Sequence, residues 1–195
     1  MADNECADAA RALDKALADT FPASDPPSQT SPSVATPSSA FISPNEQGDL
    51  RIYRVIEAKQ ASDPFAPTDT SARWTPAGTA CIYASLSPAT ALLEYLVHLE
   101  GRTPKDLLLA VGMIPAASVL SEINEPSTWC ELPYRSEVQQ VGLSWLKSCR
   151  SLALRVPSAI CRNECNILIN PEHQGHAGLQ LVALRPMHVD ERLRT

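Results

Sequence analysis

The chain has 195 residues, of which 44% are apolar and 19% are charged, and its formal net charge is −6 at pH 7. This length and composition suit one domain with a real core and exclude a wholly disordered chain. The acidic balance, without a basic block, disfavours a surface that neutralises a phosphate backbone, so we expect no direct nucleic-acid partner. The amino end is acidic and unlike a secretory signal, and no apolar stretch suits a bilayer span. We therefore expect a cytoplasmic protein without a membrane partner.

The first 45 residues differ in composition from the rest. Six prolines lie between residues 22 and 44, mixed with Ser and Thr. Such a segment cannot hold a helix and has little apolar surface to bury. We predict a flexible, disordered Pro/Ser-rich arm over residues 1–45, with one short helix at 7–17. Residues 46–195 form the predicted folded domain.

The folded domain reads as strands and two helices. Seven segments have the pattern of β-strands, in chain order 50–55, 80–84, 107–113, 118–123, 152–156, 166–169 and 179–184. Ser87 and Pro88 suit the start of a helix that runs to about residue 99. A second helix at 136–148 places its apolar residues at helical spacing, and we expect it to bury Val138, Val141, Trp145 and Leu146. The pattern predicts an α+β fold with a mixed or mostly antiparallel sheet.

Two cysteines and two histidines near the carboxyl end are of the types that bind zinc. They form the pattern Cys161-x3-Cys165 followed by His173-x2-His176. The gap of seven residues between the pairs is shorter than in usual zinc sites. We predict no metal site, and we expect the cysteines to be reduced thiols that pack as small hydrophobes.

Four residues could carry chemistry. Glu94 lies within an apolar helix, where a carboxylate is either on a wet face or held by partners, and His98 shares its face. Arg73 lies in a loop beside a tryptophan, where it either binds an anion or is an ordinary surface residue. Tyr83 and Ser158 lie in or after strands, which are common places for these residue types.

Taken together, these positions resemble the RES domain, a family named after an arginine, a glutamate and a serine. The resemblance covers about residues 50–193 and rests on several separated motifs in the same order. They are Ala72-Arg73-Trp74-Thr75-Pro76-Ala77-Gly78, Ile82-Tyr83-Ala84-Ser85, Ala91-Leu92-Leu93-Glu94, Trp145-Leu146, Val156-Pro157-Ser158 and Asn166-Ile167-Leu168-Ile169-Asn170-Pro171.

The resemblance implies a fold similar to the ADP-ribosyltransferases and a toxin that degrades NAD by hydrolysis or phosphorolysis. It implies Arg73, Glu94 and Ser158 as catalytic residues, and all three together with Tyr83 and Asn166 as substrate-binding residues. NAD is then the substrate, inorganic phosphate an optional co-substrate, and no separate cofactor is expected. The expected protein partner is an Xre-type antitoxin with a DNA-binding portion, and a homodimer is among the expected assemblies.

Two residues depart from the family pattern. The family has glycine before the arginine and asparagine after the tryptophan, whereas this chain has Ala72 and Thr75. Alanine adopts positive φ only at a cost, so the first change would reshape the loop. Two other functions stay open. One is transfer of ADP-ribose to a protein, for which the sequence identifies no acceptor-binding loop. The other is a RES-like module that binds a partner without catalysis, and Ala72 and Thr75 would be its marks.

Overall fold

The computed structural model describes residues 48–99 and 106–193. The predictions for the arm over residues 1–45 and its short helix lie outside the described residues. The seven strands are β1 Asp49–Glu57, β2 Ile82–Ser85, β3 Leu107–Pro115, β4 Val119–Leu120, β5 Ala153–Pro157, β6 Cys165–Ile169 and β7 Gln180–Pro186. The helices are α1 Pro88–Val97 and α2 Ser136–Ser148, with short 3-10 helices at Ala58–Gln60, Ala116–Ser118, Gln174–Gly178 and Glu191–Leu193.

All seven strands belong to one sheet, in the order β4-β5-β6-β2-β1-β3-β7. Neighbouring strands are antiparallel except β4 and β5, which are parallel. The predicted α+β class with a mixed sheet is therefore confirmed. Strand β6 lies between β5 and β2, so a late segment of the chain pairs with an early one.

The two faces of the sheet bury different residues. The first face carries an aliphatic cluster that includes Ile52, Ile82, Ile114, Ile167 and Ile169. On the second face, α2 and the loop before β2 bury a cluster of Trp74, Cys81, Val138, Trp145, Leu146, Leu154, Val156 and Leu168. Helix α1 packs on the same second face through Ala91, against Val55 and Leu107. Both helices thus lie on the face that also carries the residues described below.

Helix α1 begins where the sequence predicts. Ser87 accepts a hydrogen bond from the backbone N–H of Thr90 at 3.1 Å, and Pro88 occupies the first turn, where its missing N–H costs nothing. The helix ends at Val97, two residues earlier than predicted, because the N–H of His98 turns back to the carbonyls of Tyr95 and Leu96. No helix in the described ranges has the length and apolar character that crossing a membrane requires.

Helix α2 has the predicted bounds, and its predicted apolar face is largely confirmed. Val138, Trp145 and Leu146 are buried, whereas Val141 is half-buried beside them. The segment predicted as a strand at 118–123 pairs for only two residues, Val119 and Leu120. It lies at the edge of the sheet, where a single neighbouring strand supplies its hydrogen bonds, and the chain leaves that edge after Leu120.

Candidate functional site

The carboxylate of Glu94 is held by two side chains from other elements. Glu94 lies one turn after Ala91, which packs α1 on the sheet, so Glu94 also faces the sheet. Its Oε1 accepts a hydrogen bond from Ser158 Oγ at 2.8 Å and another from Asn166 Nδ2 at 2.5 Å. Its Oε2 accepts no hydrogen bond from a described residue, and Oε2 is not among the buried polar atoms that lack a partner. One oxygen is therefore fixed and the other is open to solvent.

Ser158 follows directly after β5 and is fully buried. Its Oγ accepts hydrogen bonds from the backbone N–H groups of Ile160 at 3.3 Å and Cys161 at 3.2 Å. A serine hydroxyl has one proton and two lone pairs, and here the two amides occupy the acceptor side. The proton is therefore directed to Glu94.

Asn166 lies in β6, and its side-chain amide bridges two partners. Its Nδ2 donates to Glu94, and its Oδ1 accepts a hydrogen bond from Ser85 Oγ at 2.7 Å. Ser85 and Asn166 are directly paired across β2 and β6, so their side chains leave the same face of the sheet. The sequence does not single out Ser85, because this pairing depends on strand register between segments 81 residues apart.

Arg73 is fixed by one of its three guanidinium nitrogens. Its Nη1 donates to the carbonyl of Trp129 at 2.9 Å and to that of Glu131 at 3.0 Å. The guanidinium also lies 5.2 Å from the centre of the Tyr134 ring, a cation–π distance. Nε and Nη2 have no hydrogen-bond partner among the described residues and are not among the buried polar atoms without one. These two nitrogens can therefore bind an anion.

The loop around Arg73 is held by α2. Gln139 Nε2 donates to the carbonyl of Ala72 at 2.8 Å and to that of Thr75 at 3.3 Å. Gly142 lies against the carbonyl of Trp74 so closely that an added Cβ would be 2.0 Å from that oxygen. Neither Gln139 nor Gly142 is among the predicted residues, since a polar residue and a glycine in an amphipathic helix give no signal of this contact.

Tyr83 connects the Arg73 loop with the Glu94 cluster. Its hydroxyl shares a hydrogen bond of 2.8 Å with Thr75 Oγ1, two residues after Arg73. Along β2, Tyr83 and Ser85 are two residues apart and leave the same face, with Cα atoms about 7 Å apart. Burial raises the pKa of the Tyr83 phenol above its ordinary value, so the phenol keeps its proton at neutral pH. The arginine loop and the acid thus lie on one face of the sheet.

The two departures from the family pattern have different outcomes. Ala72 is not among the described non-glycine residues with positive φ, so the loop closes without the strain expected there. The N–H of Ala72 donates to the carbonyl of Thr75 at 2.9 Å, which forms a turn around Arg73. Thr75 is buried, and its hydroxyl is the partner of Tyr83.

The other residues considered from the sequence lie elsewhere or have local partners. His98 is exposed at the end of α1, and His173 accepts a hydrogen bond from the N–H of Gly175 at 2.9 Å. Within residues 48–99 and 106–193, no three His, Cys, Asp or Glu side chains are placed together to hold a metal ion. An open groove of about 560 Å³ lies between α2 and the segment 122–126, and its lining includes neither Arg73 nor Glu94.

Comparisons with known proteins agree on one family. The family model described as the RES domain matches residues 51–190. The chain is 35% identical over 146 residues to the "Prs ADP-ribosylating toxin" of a Sphingobium species, which covers 72% of this chain and 90% of that protein. It is 29% identical over 131 residues to "Toxin Res" of Yersinia enterocolitica, covering 64% and 86% of the two chains.

A solved structure has the same fold at low sequence identity. It is a chain of the Mycobacterium tuberculosis MbcT–MbcA toxin–antitoxin complex, with a TM-score of 0.58 and 15% identity. The match covers 75% of this chain and 89% of that one.

Proposed function

The chain belongs to the RES domain family, and from this premise we propose that it is a toxin that degrades NAD by cleaving the bond between nicotinamide and ribose. The observation that carries the proposal is the asymmetric carboxylate of Glu94. Two donors fix its Oε1, and its Oε2 is left for a substrate.

The chemistry suits a fixed carboxylate. When the bond from the ribose C1′ to the pyridinium nitrogen breaks, its electron pair goes to nicotinamide, and positive charge develops on the ribose, as in glycoside cleavage. A negative charge held in place before the reaction stabilises that state more than a mobile one, because no reorganisation is needed. Water or inorganic phosphate then bonds to C1′. The product with water, which loses a proton, is ADP-ribose, and the product with phosphate is ADP-ribose 1-phosphate.

The other residues divide the work of binding. The open nitrogens of Arg73 bind the pyrophosphate of NAD or the attacking phosphate through charge-assisted hydrogen bonds. Tyr83 packs on nicotinamide or its ribose with a neutral ring. Ser158 and Asn166 hold Glu94 by donating hydrogen bonds to it. Ser158 is fully buried, and its hydroxyl contacts the carboxylate. NAD is the substrate, and the proposal needs no separate cofactor.

A second candidate is transfer of ADP-ribose to a protein. The Sphingobium relative is named Prs ADP-ribosylating toxin, and this favours the candidate. The two functions share the bond that breaks and differ only in the acceptor. The first predicts free ADP-ribose or its phosphate, and the second predicts a labelled protein.

We also propose that an antitoxin of the Xre type binds this chain and blocks the site. The solved structure with the same fold comes from a toxin–antitoxin complex, and this supports the proposal. We then expect an Xre-type protein encoded by the neighbouring gene to co-purify with this chain. Turnover of NAD should fall in proportion to the fraction of the chain that this protein binds. Full turnover in the purified complex would contradict the proposal.

The test of the function uses purified protein with NAD, with and without inorganic phosphate, and follows nicotinamide release and the ribose product by chromatography. We expect release in wild-type protein and almost none in Glu94→Gln, which controls for contaminating enzymes. A rate that rises with phosphate identifies phosphorolysis, and an unchanged rate identifies hydrolysis. A parallel reaction with labelled NAD and a Prs protein tests for transfer. No nicotinamide release under any of these conditions would overturn the enzymatic proposal.

A further inference from the structure

Ser85 lies at the centre of a row of side chains beneath Glu94. Across the sheet, Tyr53 pairs with Ser85, Ser85 with Asn166, and Asn166 with Val156. Directly paired residues leave the same face, so these four side chains form one row on the face that carries the site. Ser85 is 3% exposed, so a substrate cannot reach it, and its Oγ contacts Asn166.

The direction of each hydrogen bond in this row follows from chemistry. A carboxylate only accepts hydrogen bonds, so the nitrogen of the Asn166 amide must face Glu94. The oxygen of the amide then faces Ser85, which must donate. A flipped amide would lose the bond to Glu94, since its oxygen would meet the carboxylate, while the Ser85 hydroxyl could turn and accept from the amide nitrogen. Glu94 therefore selects the orientation of the amide, and the Ser85 hydroxyl restrains the amide in that orientation from its other end.

We propose that Ser85 is a positioning residue for the catalytic carboxylate and acts through Asn166. By holding Oδ1 at 2.7 Å, it keeps Nδ2 on Oε1 of Glu94, and this directs Oε2 toward the substrate. The side-chain torsion of asparagine is broad when nothing restrains its amide, so the second contact is what makes the donor rigid. The proposal rests on the function proposed above for Glu94.

The kinetic test is a double-mutant cycle between Ser85 and Asn166. Ser85→Ala should lower kcat about threefold to tenfold, the effect of one buried hydrogen bond, with KM for NAD nearly unchanged. In an Asn166→Ala background, the same substitution should have no further effect, because its route to Glu94 is gone. Equal losses in both backgrounds would overturn the proposal.

A matched control separates this effect from the loss of any serine. Ser118 also donates through its hydroxyl, to the carbonyl of Pro115 at 2.6 Å, away from the site. Ser118→Ala should leave kcat unchanged. Ser85→Cys is a second variant for the case in which Ser85→Ala unfolds; its thiol is a weak donor, so its kcat should lie between those of wild type and Ser85→Ala. A kcat equal to that of wild type would contradict the proposal.

A second readout does not depend on NAD turnover. In nitrogen-15 spectra of the free protein, the side-chain amide of Asn166 is identified by its loss in Asn166→Ala. Its protons should exchange with water several times faster in Ser85→Ala than in wild type or Ser118→Ala. Unchanged exchange would show that Ser85 does not restrain Asn166, even if NAD is degraded. Faster exchange in a protein that does not degrade NAD would instead disprove the proposed function and leave the contact established.

Discussion

At the scale of single residues, Glu94 and Arg73 are arranged on the same principle. Each has one atom held by the protein, Oε1 by two side chains and Nη1 by two backbone carbonyls. Each leaves its remaining polar atoms without a described partner. A charged group arranged in this way loses little conformational freedom on binding, which lowers the cost of placing it against a ligand.

Glu94→Gln should abolish most activity while the protein stays folded. The new amide oxygen can still accept hydrogen bonds from Ser158 and Asn166, but the open atom becomes a neutral nitrogen. We expect kcat to fall about a hundredfold to a thousandfold, as when a preorganised electrostatic group is lost. Nicotinamide release measures the fall, and Glu172→Gln, an exposed glutamate, is the control. A variant with wild-type kcat would remove Glu94 from the mechanism.

Arg73→Lys should weaken binding of NAD although the charge is kept. A lysine ammonium is a single point of charge, so it cannot contact the carbonyls of Trp129 and Glu131 while it also forms a forked contact with a phosphate. We expect kcat/KM to fall about tenfold to a hundredfold, mostly through KM, on the scale of a hydrogen bond to a charged group. Steady-state kinetics measure it, with the exposed Arg51→Lys as control. A change within twofold would contradict the role given to Arg73.

The sequence identifies the acid and two of its partners, but it does not predict which of these side chains contact one another. Glu94 stands out because a carboxylate in an apolar helix needs partners. Ser158 is considered from the sequence as a residue in a common place after a strand, Asn166 enters only by resemblance to a family, and Ser85 does not enter as a site residue. Their contacts join segments 64 to 81 residues apart. Such contacts depend on strand register, which no local pattern specifies.

At the scale of elements, helix α2 supports a loop that it does not contain. Its residue Gln139 binds the loop carbonyls, and Gly142 lets the loop backbone approach the helix axis. The helix itself is well predicted, since its apolar spacing is regular and its bounds agree with the structure. Edge strand β4 is poorly predicted, because its extent depends on a neighbour rather than on its own residues.

Gly142→Ala is a test of this support. At a helix position with no close neighbour the substitution would stabilise the protein, because alanine favours helix over glycine by up to about 1 kcal/mol. Here the new Cβ would be 2.0 Å from the Trp74 carbonyl oxygen. We expect the free energy of unfolding to fall by about 1–3 kcal/mol, as for overpacked sites, and KM for NAD to rise as the Arg73 loop moves.

Urea unfolding and steady-state kinetics measure the two effects. Ser144→Ala on the exposed side of the same helix is the control: it should leave KM unchanged and should not lower the free energy of unfolding, because alanine favours helix over serine. A Gly142→Ala protein that is more stable than wild type would show that the helix and the loop are not in close contact.

At the scale of the whole molecule, the second face of the sheet combines a core with titratable groups. Cys81 is fully buried within its cluster, and burial raises the pKa of its thiol to about 12 from an ordinary 9.0. The pKa of Tyr83 on the same face is raised as well. Both groups hold their protons more tightly in the folded protein than in the unfolded chain.

Stability should therefore fall in alkali. Between pH 9 and 12 the unfolded chain loses the Cys81 proton while the folded protein keeps it, so rising pH favours unfolding. One such group contributes a slope of up to about 1.4 kcal/mol per pH unit. Urea unfolding of wild type and Cys81→Ala at pH 8, 9 and 10 measures how the free energy of unfolding changes with pH. The slopes of the two proteins are compared, not their absolute stabilities. We expect a shallower decline in Cys81→Ala, and equal slopes would contradict the assignment.

The position of β6 between β5 and β2 has a consequence for biosynthesis. Arg73, Tyr83 and Glu94 leave the ribosome early, but both donors to Glu94 belong to the last quarter of the chain. A nascent polypeptide that stops before residue 158 contains the acid and the arginine but lacks Ser158 and strand β6, which supply both donors to Glu94. Products of interrupted translation should accordingly be harmless to the cell, and the proposed degradation of NAD should begin only once the chain is almost complete.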